Sequence, residues 1–177
     1  MNDIVRIMKA AEAASRWHTH QRRDGEAAEP YMNHLLEVAS LVAEATEGDP
    51  VVIIAALLHD AVEDQDVTHD QVSEFFGPAV AALVAEVTDN KLEPKQVRKH
   101  RQVENAPRKS PGASVIKLAD KTSNLRAIAN SPPPWDPERK RAYIEWAMAV
   151  VAGLPYKPPQ LLAQFEEAVR MAAASTG

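Results

Sequence analysis

Residues 51–58, VVIIAALL, are apolar on every side of a helix. A helix with no polar face belongs in the middle of a fold, with other elements packed all around it. The same stretch runs on into HDAVED, so the buried segment ends in His59, Asp60, Glu63 and Asp64. Projected at about 100° per residue as one helix over 51–64, these four side chains share an arc of roughly 140°. Like-charged carboxylates at a buried end cost several kcal/mol unless a cation neutralises them or their pKa values shift until they are neutral. The polar end is therefore expected to face an internal cleft or a bound ion.

The rest of the chain supplies elements to surround that segment. Apolar residues recur at helical spacing nearly throughout, β-branched alternation is scarce and no internal repeat occurs, which predicts an all-α bundle of roughly eight to ten helices. A first helix begins around Ile4 and ends near Trp17–Gln21, and a second spans about Asn33 to Ala45. Asp49-Pro50 pairs an N-cap with a proline at the first helical position and starts the third. Thr68 and Gln71 have capping-box spacing, Gly77-Pro78 closes one helix and opens the next, and Pro94 opens a basic helix. Residues 105–112 read as a loop before a helix from about Ala113 to Ala129. Asp136-Pro137 caps another helix to about Ala152, and a last helix follows the prolines at 158–159. With 177 residues, 45% of them apolar, the chain is expected to form a single domain over 1–177.

With no cysteine, disulfides and thiolate chemistry are excluded, so any ion must be held by His, Asp or Glu. A net charge of −5 argues against nucleic acid as a partner. No apolar run reaches spanning length and the N-terminus does not read as a signal peptide, so no membrane partner and a cytoplasmic location are expected. Cations nevertheless cluster at residues 91–101 and 137–141, which leaves room for a small anionic ligand.

Two more polar residues interrupt apolar patterns: His34 in PYMNHLLEVA and Asp120 in ASVIKLADKTSNL. With His59 and Asp60 they make four potential ligands of mixed nitrogen and oxygen type, a set suited to Mn²⁺, Fe²⁺, Zn²⁺ or Mg²⁺. On the helix of Asp120, Asn124 shares its face, while Lys117 and Lys121 read as solvent-exposed charge. Trp146, three residues from Tyr143, reads as core.

The spaced set His34, His59-Asp60 and Asp120 resembles the signature of the HD metal-dependent phosphohydrolases. The stretches PYMNH, AALLHDAVEDQDVT, FFGPAVAALVAEVTDNK, PGASVIKLADKTSNL and YIEWA are similar to the hydrolase domain of the RelA/SpoT proteins, above all to the stand-alone small alarmone hydrolases typified by the metazoan SpoT homologue. This resemblance covers about residues 10–150. It implies an HD-type helical bundle that removes the 3′-pyrophosphate of (p)ppGpp with one Mn²⁺ ion held by His34, His59, Asp60 and Asp120. It further implies that Glu63 and Asp64 orient and activate the attacking water. Arg23 and Tyr31 are then expected near the base, Asn124 near the ribose and phosphate, and Lys95, Arg139 and Tyr143 at phosphates. Two positions depart from the pattern: Asp24 stands where a basic residue usually follows the arginine pair, and Leu35 replaces a proline after His34. An acid at position 24 keeps open another nucleotide, such as NADPH, as substrate, and a non-catalytic nucleotide-sensing module is the alternative of a different class.

Overall fold

Helix boundaries follow from side chains that cap them. Asp49 accepts the amides of Val51 and Val52, Ser110 that of Ala113 and Asp136 that of Arg139, while Thr68 and Gln71 form a reciprocal capping box. Gly77, at φ 96°, ends one helix and precedes Pro78 at the start of the next. In a computed structural model, which describes residues 2–176, the chain forms ten α-helices and one 3-10 turn, with no strand among the described residues. They are α1 (Asp3–Trp17), α2 (Met32–Ala45), α3 (Pro50–Leu57), α4 (Ala61–Asp64), α5 (His69–Phe76), α6 (Pro78–Val87), α7 (Lys95–Asn105), α8 (Pro111–Asn130), α9 (Pro137–Gly153) and α10 (Pro159–Ala174), the 3-10 turn being Ala106–Arg108. No helix among the described residues is long and apolar enough to cross a membrane.

Two axial helices organise the bundle. The apolar α3 is enclosed by α1, α2, α6 and α8, and α8 by α2, α3, α6, α9 and α10. Ile54, Leu57 and Leu58 meet Ile116, Leu118 and Leu125 within one core cluster. Because α2, α3 and α8 pack on one another pairwise, polar residues on their facing sides are forced into a common space.

Three expectations are corrected. Residues 51–64 are not one helix: the Leu58 amide is shared between the carbonyls of Ile54 and Ala55, Ala61 N–H donates to Leu58 O, and the chain turns at His59-Asp60 before α4. The single arc therefore gives way to a turn that aims these two side chains independently of Glu63 and Asp64. Second, α8 starts at Pro111 on the Ser110 cap, with the 3-10 turn inside the stretch read as loop. Third, Lys117 and Lys121 are only 5% and 3% exposed, since α8 is packed on nearly all sides and offers them no solvent face.

Ile54 is fully buried and Leu36 is half exposed. Truncating Ile54 to Ala is expected to lower stability by about 2–5 kcal/mol, while Leu36→Ala stays within about 0.5 kcal/mol; equilibrium urea denaturation measures both.

Candidate functional site

His34 comes from the first turn of α2, His59 and Asp60 from the turn after α3, and Asp120 from the middle of α8. The donor atoms of His34, His59 and Asp120 all lie within 4.8 Å of one another, and the three residues are buried. His34 Nε2 is 3.4 Å and His59 Nε2 3.7 Å from the same Asp120 Oδ1. Asp60 joins them through Oδ2, at 3.1 Å from His59 Nε2 and 3.7 Å from His34 Nε2. That oxygen also accepts the Tyr31 hydroxyl at 2.5 Å.

The imidazoles are turned for ligation. His59 Nδ1 lies 2.7 Å from the Ala56 carbonyl, which can only accept, so this nitrogen carries the proton and Nε2 faces the carboxylates. The Nε2 atoms of both histidines are buried without a hydrogen-bond partner. Two orphaned ring nitrogens facing two carboxylates, with no thiolate, form a donor set that fits a divalent cation of hard to borderline character. Burial opposes charge on His59, yet Asp60 and Asp120 outweigh it and carry its pKa well above the ordinary histidine value. Burial, with the charges of Arg23 and His59 adding to it, lowers that of His34. Asp60 and Asp120 are held far below the usual carboxylate range despite their burial, Asp60 by His59 and Asp120 by Lys121 and the two imidazoles.

Glu63 and Asp64 diverge. Glu63 Oε2 accepts the Asp89 amide at 3.2 Å and Oε1 lies 3.4 Å from Arg98 Nη1. Burial, then the charges of Asp89 and Asp60, raise its pKa to about 7, where a carboxylate can work as a base near neutrality. Asp64 accepts from Gln21 Nε2 at 2.9 Å and pairs with Lys91.

A cavity of about 530 Å³ opens beside the histidines and is lined by Arg23, Tyr31, Asp64, Asn124 and Tyr143 among others. A second, of about 200 Å³, holds Glu63, Lys95, Lys99, Arg139 and Trp146, and shares Trp135 and Tyr143 with the first. All of the sequence-selected site residues thus line one of the two cavities or the donor cluster. Arg23 Nη1 donates to Asn124 Oδ1 at 3.1 Å, and Asn124 Nδ2 donates to Asp120 Oδ1 at 2.9 Å. Arg23 lies over the Tyr31 ring and Arg139 over that of Trp135, 5.8 and 4.3 Å from their centroids. Asp24 lines the larger cavity beside Gly25, where a Cβ would come within 2.5 Å of the Ser131 carbonyl, so the loop is pinned to the end of α8.

Sequence reasoning passed over several neighbours. Trp135 was visible only as part of a proline-rich break, and Arg98 and Lys99 only as part of a basic run. Trp146, read as core, donates to the Lys99 carbonyl and has Lys99 and Lys121 over its ring, within a cavity wall. Tyr31 was placed near a base, and nothing in its local pattern signalled that its hydroxyl would bind Asp60.

An HD-domain family model matches residues 10–154. The chain is 46% identical over 171 residues to the guanosine-3′,5′-bis(diphosphate) 3′-pyrophosphohydrolase MESH1 of Homo sapiens, covering 96% of this chain and 93% of that protein. It is 44% identical over 152 residues to the Drosophila melanogaster protein of the same name, covering 85% of each. Among solved structures it is similar to a metazoan orthologue of SpoT described as hydrolysing ppGpp, with a TM-score of 0.89, 41% identity and coverage of 93% of this chain and 94% of that one.

Without an ion, the raised pKa of His59 favours a second ring proton at neutral pH, on the Nε2 that faces Asp60 and Asp120. Ligation requires that proton to leave, so a divalent ion should displace about one proton per site near pH 7, and affinity should fall as pH falls. Metal titration in weak buffer with a pH indicator measures the release; His59→Gln should abolish it.

Proposed function

The chain belongs to the HD-domain family, and from that premise we propose that it is a Mn²⁺-dependent hydrolase that removes the 3′-pyrophosphate of (p)ppGpp. The single observation that carries this reading is the convergence of His34, His59, Asp60 and Asp120 beside a cavity of nucleotide size, with Glu63 lining the smaller cavity that adjoins it. The activity in the relatives' names supplies the substrate class. On this reading residues 1–177 act as one hydrolase domain in the cytoplasm.

His34, His59, Asp60 and Asp120 would hold a divalent ion, which would supply charge to neutralise phosphate oxygens and to acidify a water. The protein's own groups do the rest. Arg23 and Tyr31, stacked on each other at the wall of the larger cavity, receive the guanine side of the substrate. Asn124, fixed between Arg23 and Asp120, faces the ribose. Lys95 and Arg139, with Tyr143 between the cavities, hold phosphates near Glu63. Glu63, kept in place by the Asp89 amide and Arg98, takes the proton of the attacking water as its oxygen bonds to the phosphorus on the ribose 3′-oxygen. The bond from that phosphorus to the 3′-oxygen breaks, the 3′-oxygen takes up a proton, and GDP or GTP leaves with pyrophosphate. Asp64, anchored by Gln21 and Lys91, orients the water from the side of the larger cavity.

The decisive experiment is product analysis of manganese-loaded protein mixed with ppGpp. Pyrophosphate and GDP are expected, and Asp60→Ala should remove the activity, as should chelation. Inert ppGpp alongside cleavage of NADPH or another nucleotide would overturn the substrate. Glu63→Gln is expected to cost about 10²- to 10⁴-fold in kcat. Only the ionised Glu63 accepts a proton, so wild-type kcat/KM should decline as pH falls through the acid's titration, and the variant should lose that limb of the profile.

Asp24 lines the same cavity as Arg22 and Arg23 and offers a negative charge to an anionic ligand. Asp24→Lys is therefore expected to lower KM for ppGpp by about two- to tenfold with little change in kcat, less at high salt, as steady-state kinetics at two ionic strengths would register.

A further inference from the structure

Ser123 lies one turn beyond Asp120 on α8 and is buried, and Glu37 lies one turn beyond His34 on α2. The Ser123 hydroxyl donates to Glu37 Oε2 at 2.7 Å, and the same Oγ is 2.9 Å from His34 Nδ1. The other Glu37 oxygen accepts from Arg126 Nη1 at 3.0 Å, and Arg126 Nη2 donates to Gln164 Oε1 on α10 at 3.0 Å. A chain of hydrogen bonds thus runs from a ring nitrogen of the donor cluster across α8 to α10. The proposed reaction uses neither Glu37 nor Ser123.

We infer that Glu37, acting through Ser123, selects the tautomer of His34 and so keeps its Nε2 free to bind a cation; this rests on the metal reading of the donor cluster. A serine has one hydroxyl proton, and here the carboxylate, which only accepts, takes it. The oxygen then offers His34 nothing but lone pairs, so Nδ1 carries the ring proton and donates it to Ser123. In a neutral imidazole the lone pair is then on Nε2, the atom that faces Asp120 and Asp60. Without the carboxylate the hydroxyl is free to donate to Nδ1 instead. The ring proton moves to Nε2, into the space where the ligand atoms meet, and must be displaced before the ion can bind. Arg126 and Gln164 hold Glu37 where it can do this.

His59 receives the same instruction from a backbone carbonyl, which no substitution of its side chain can remove. His34 is the ligand whose readiness depends on side chains, so Glu37 and Ser123 are positioning residues for the metal site.

The test compares the full-length wild type with Glu37→Leu, Ser123→Ala and Ser123→Thr. Mn²⁺ affinity is read by competition with a chelator, and the His34 tautomer by imidazole ¹H–¹⁵N spectra of the metal-free chains. The wild type and Ser123→Thr should show His34 protonated at Nδ1. Glu37→Leu and Ser123→Ala should shift it towards the Nε2-protonated form and bind Mn²⁺ about 10- to 100-fold more weakly, with kcat at saturating Mn²⁺ changing much less. Equal Mn²⁺ affinity in all four chains, with unchanged circular dichroism, would overturn the inference, as would a wild-type His34 protonated at Nε2. A wild type that binds no Mn²⁺ would instead refute the metal reading, and the tautomer spectra would still decide the role of Glu37.

Discussion

Two imidazole nitrogens and two carboxylates face one another where three mutually packed helices meet at the wall of a cavity. Every other arrangement around the site follows from how that juxtaposition is tolerated. Neighbouring groups already hold it in one geometry: the Ala56 carbonyl turns His59, Tyr31 holds Asp60, and Lys121 and Asn124 hold Asp120. Such a cluster is ordered before any ligand arrives, which is what a site that must position a phosphate and a water requires.

The acids that follow the histidine-aspartate turn serve different sides of the cleft. The short α4 directs Glu63 towards Arg98 and the smaller, lysine-lined cavity, and Asp64 towards Gln21 and the larger one. Adjacent residues on a helix point about 100° apart, and the chain uses that divergence to place one carboxylate in each compartment. The aromatic residues do related work for the cations. Lys99, Lys121 and Arg139 lie over the rings of Trp146 and Trp135, so their positive ends are held at aromatic faces.

The four donor residues were legible because each is a charged or ionisable residue inside an apolar pattern, and such residues need a partner. Helix starts were legible for a local reason as well, since Asp49, Thr68, Ser110 and Asp136 cap their own chain within three residues. The break at His59-Asp60 was not legible, because apolar periodicity is blind to a tight turn between two buried segments. Nor was the burial of Lys117 and Lys121: it depends on α8 being enclosed from every direction, which no single helix reveals about itself. Ser123 and Glu37 are 86 residues apart, and their pairing exists only once α2 and α8 are packed. The overlay of Arg139 on Trp135 arises likewise from the path taken by a proline-rich bend.

The elevated basicity of His59 bears on how the polypeptide matures. The upward shift of its pKa favours a charged ring, so the two acidic neighbours have a positive partner within the chain itself. Assembly of the bundle and acquisition of its ion are therefore separable events, unlike the obligatory coupling in small zinc domains. A molecule without an ion can therefore hold the shape of the bundle, with its donor atoms already assembled, until a divalent cation reaches them.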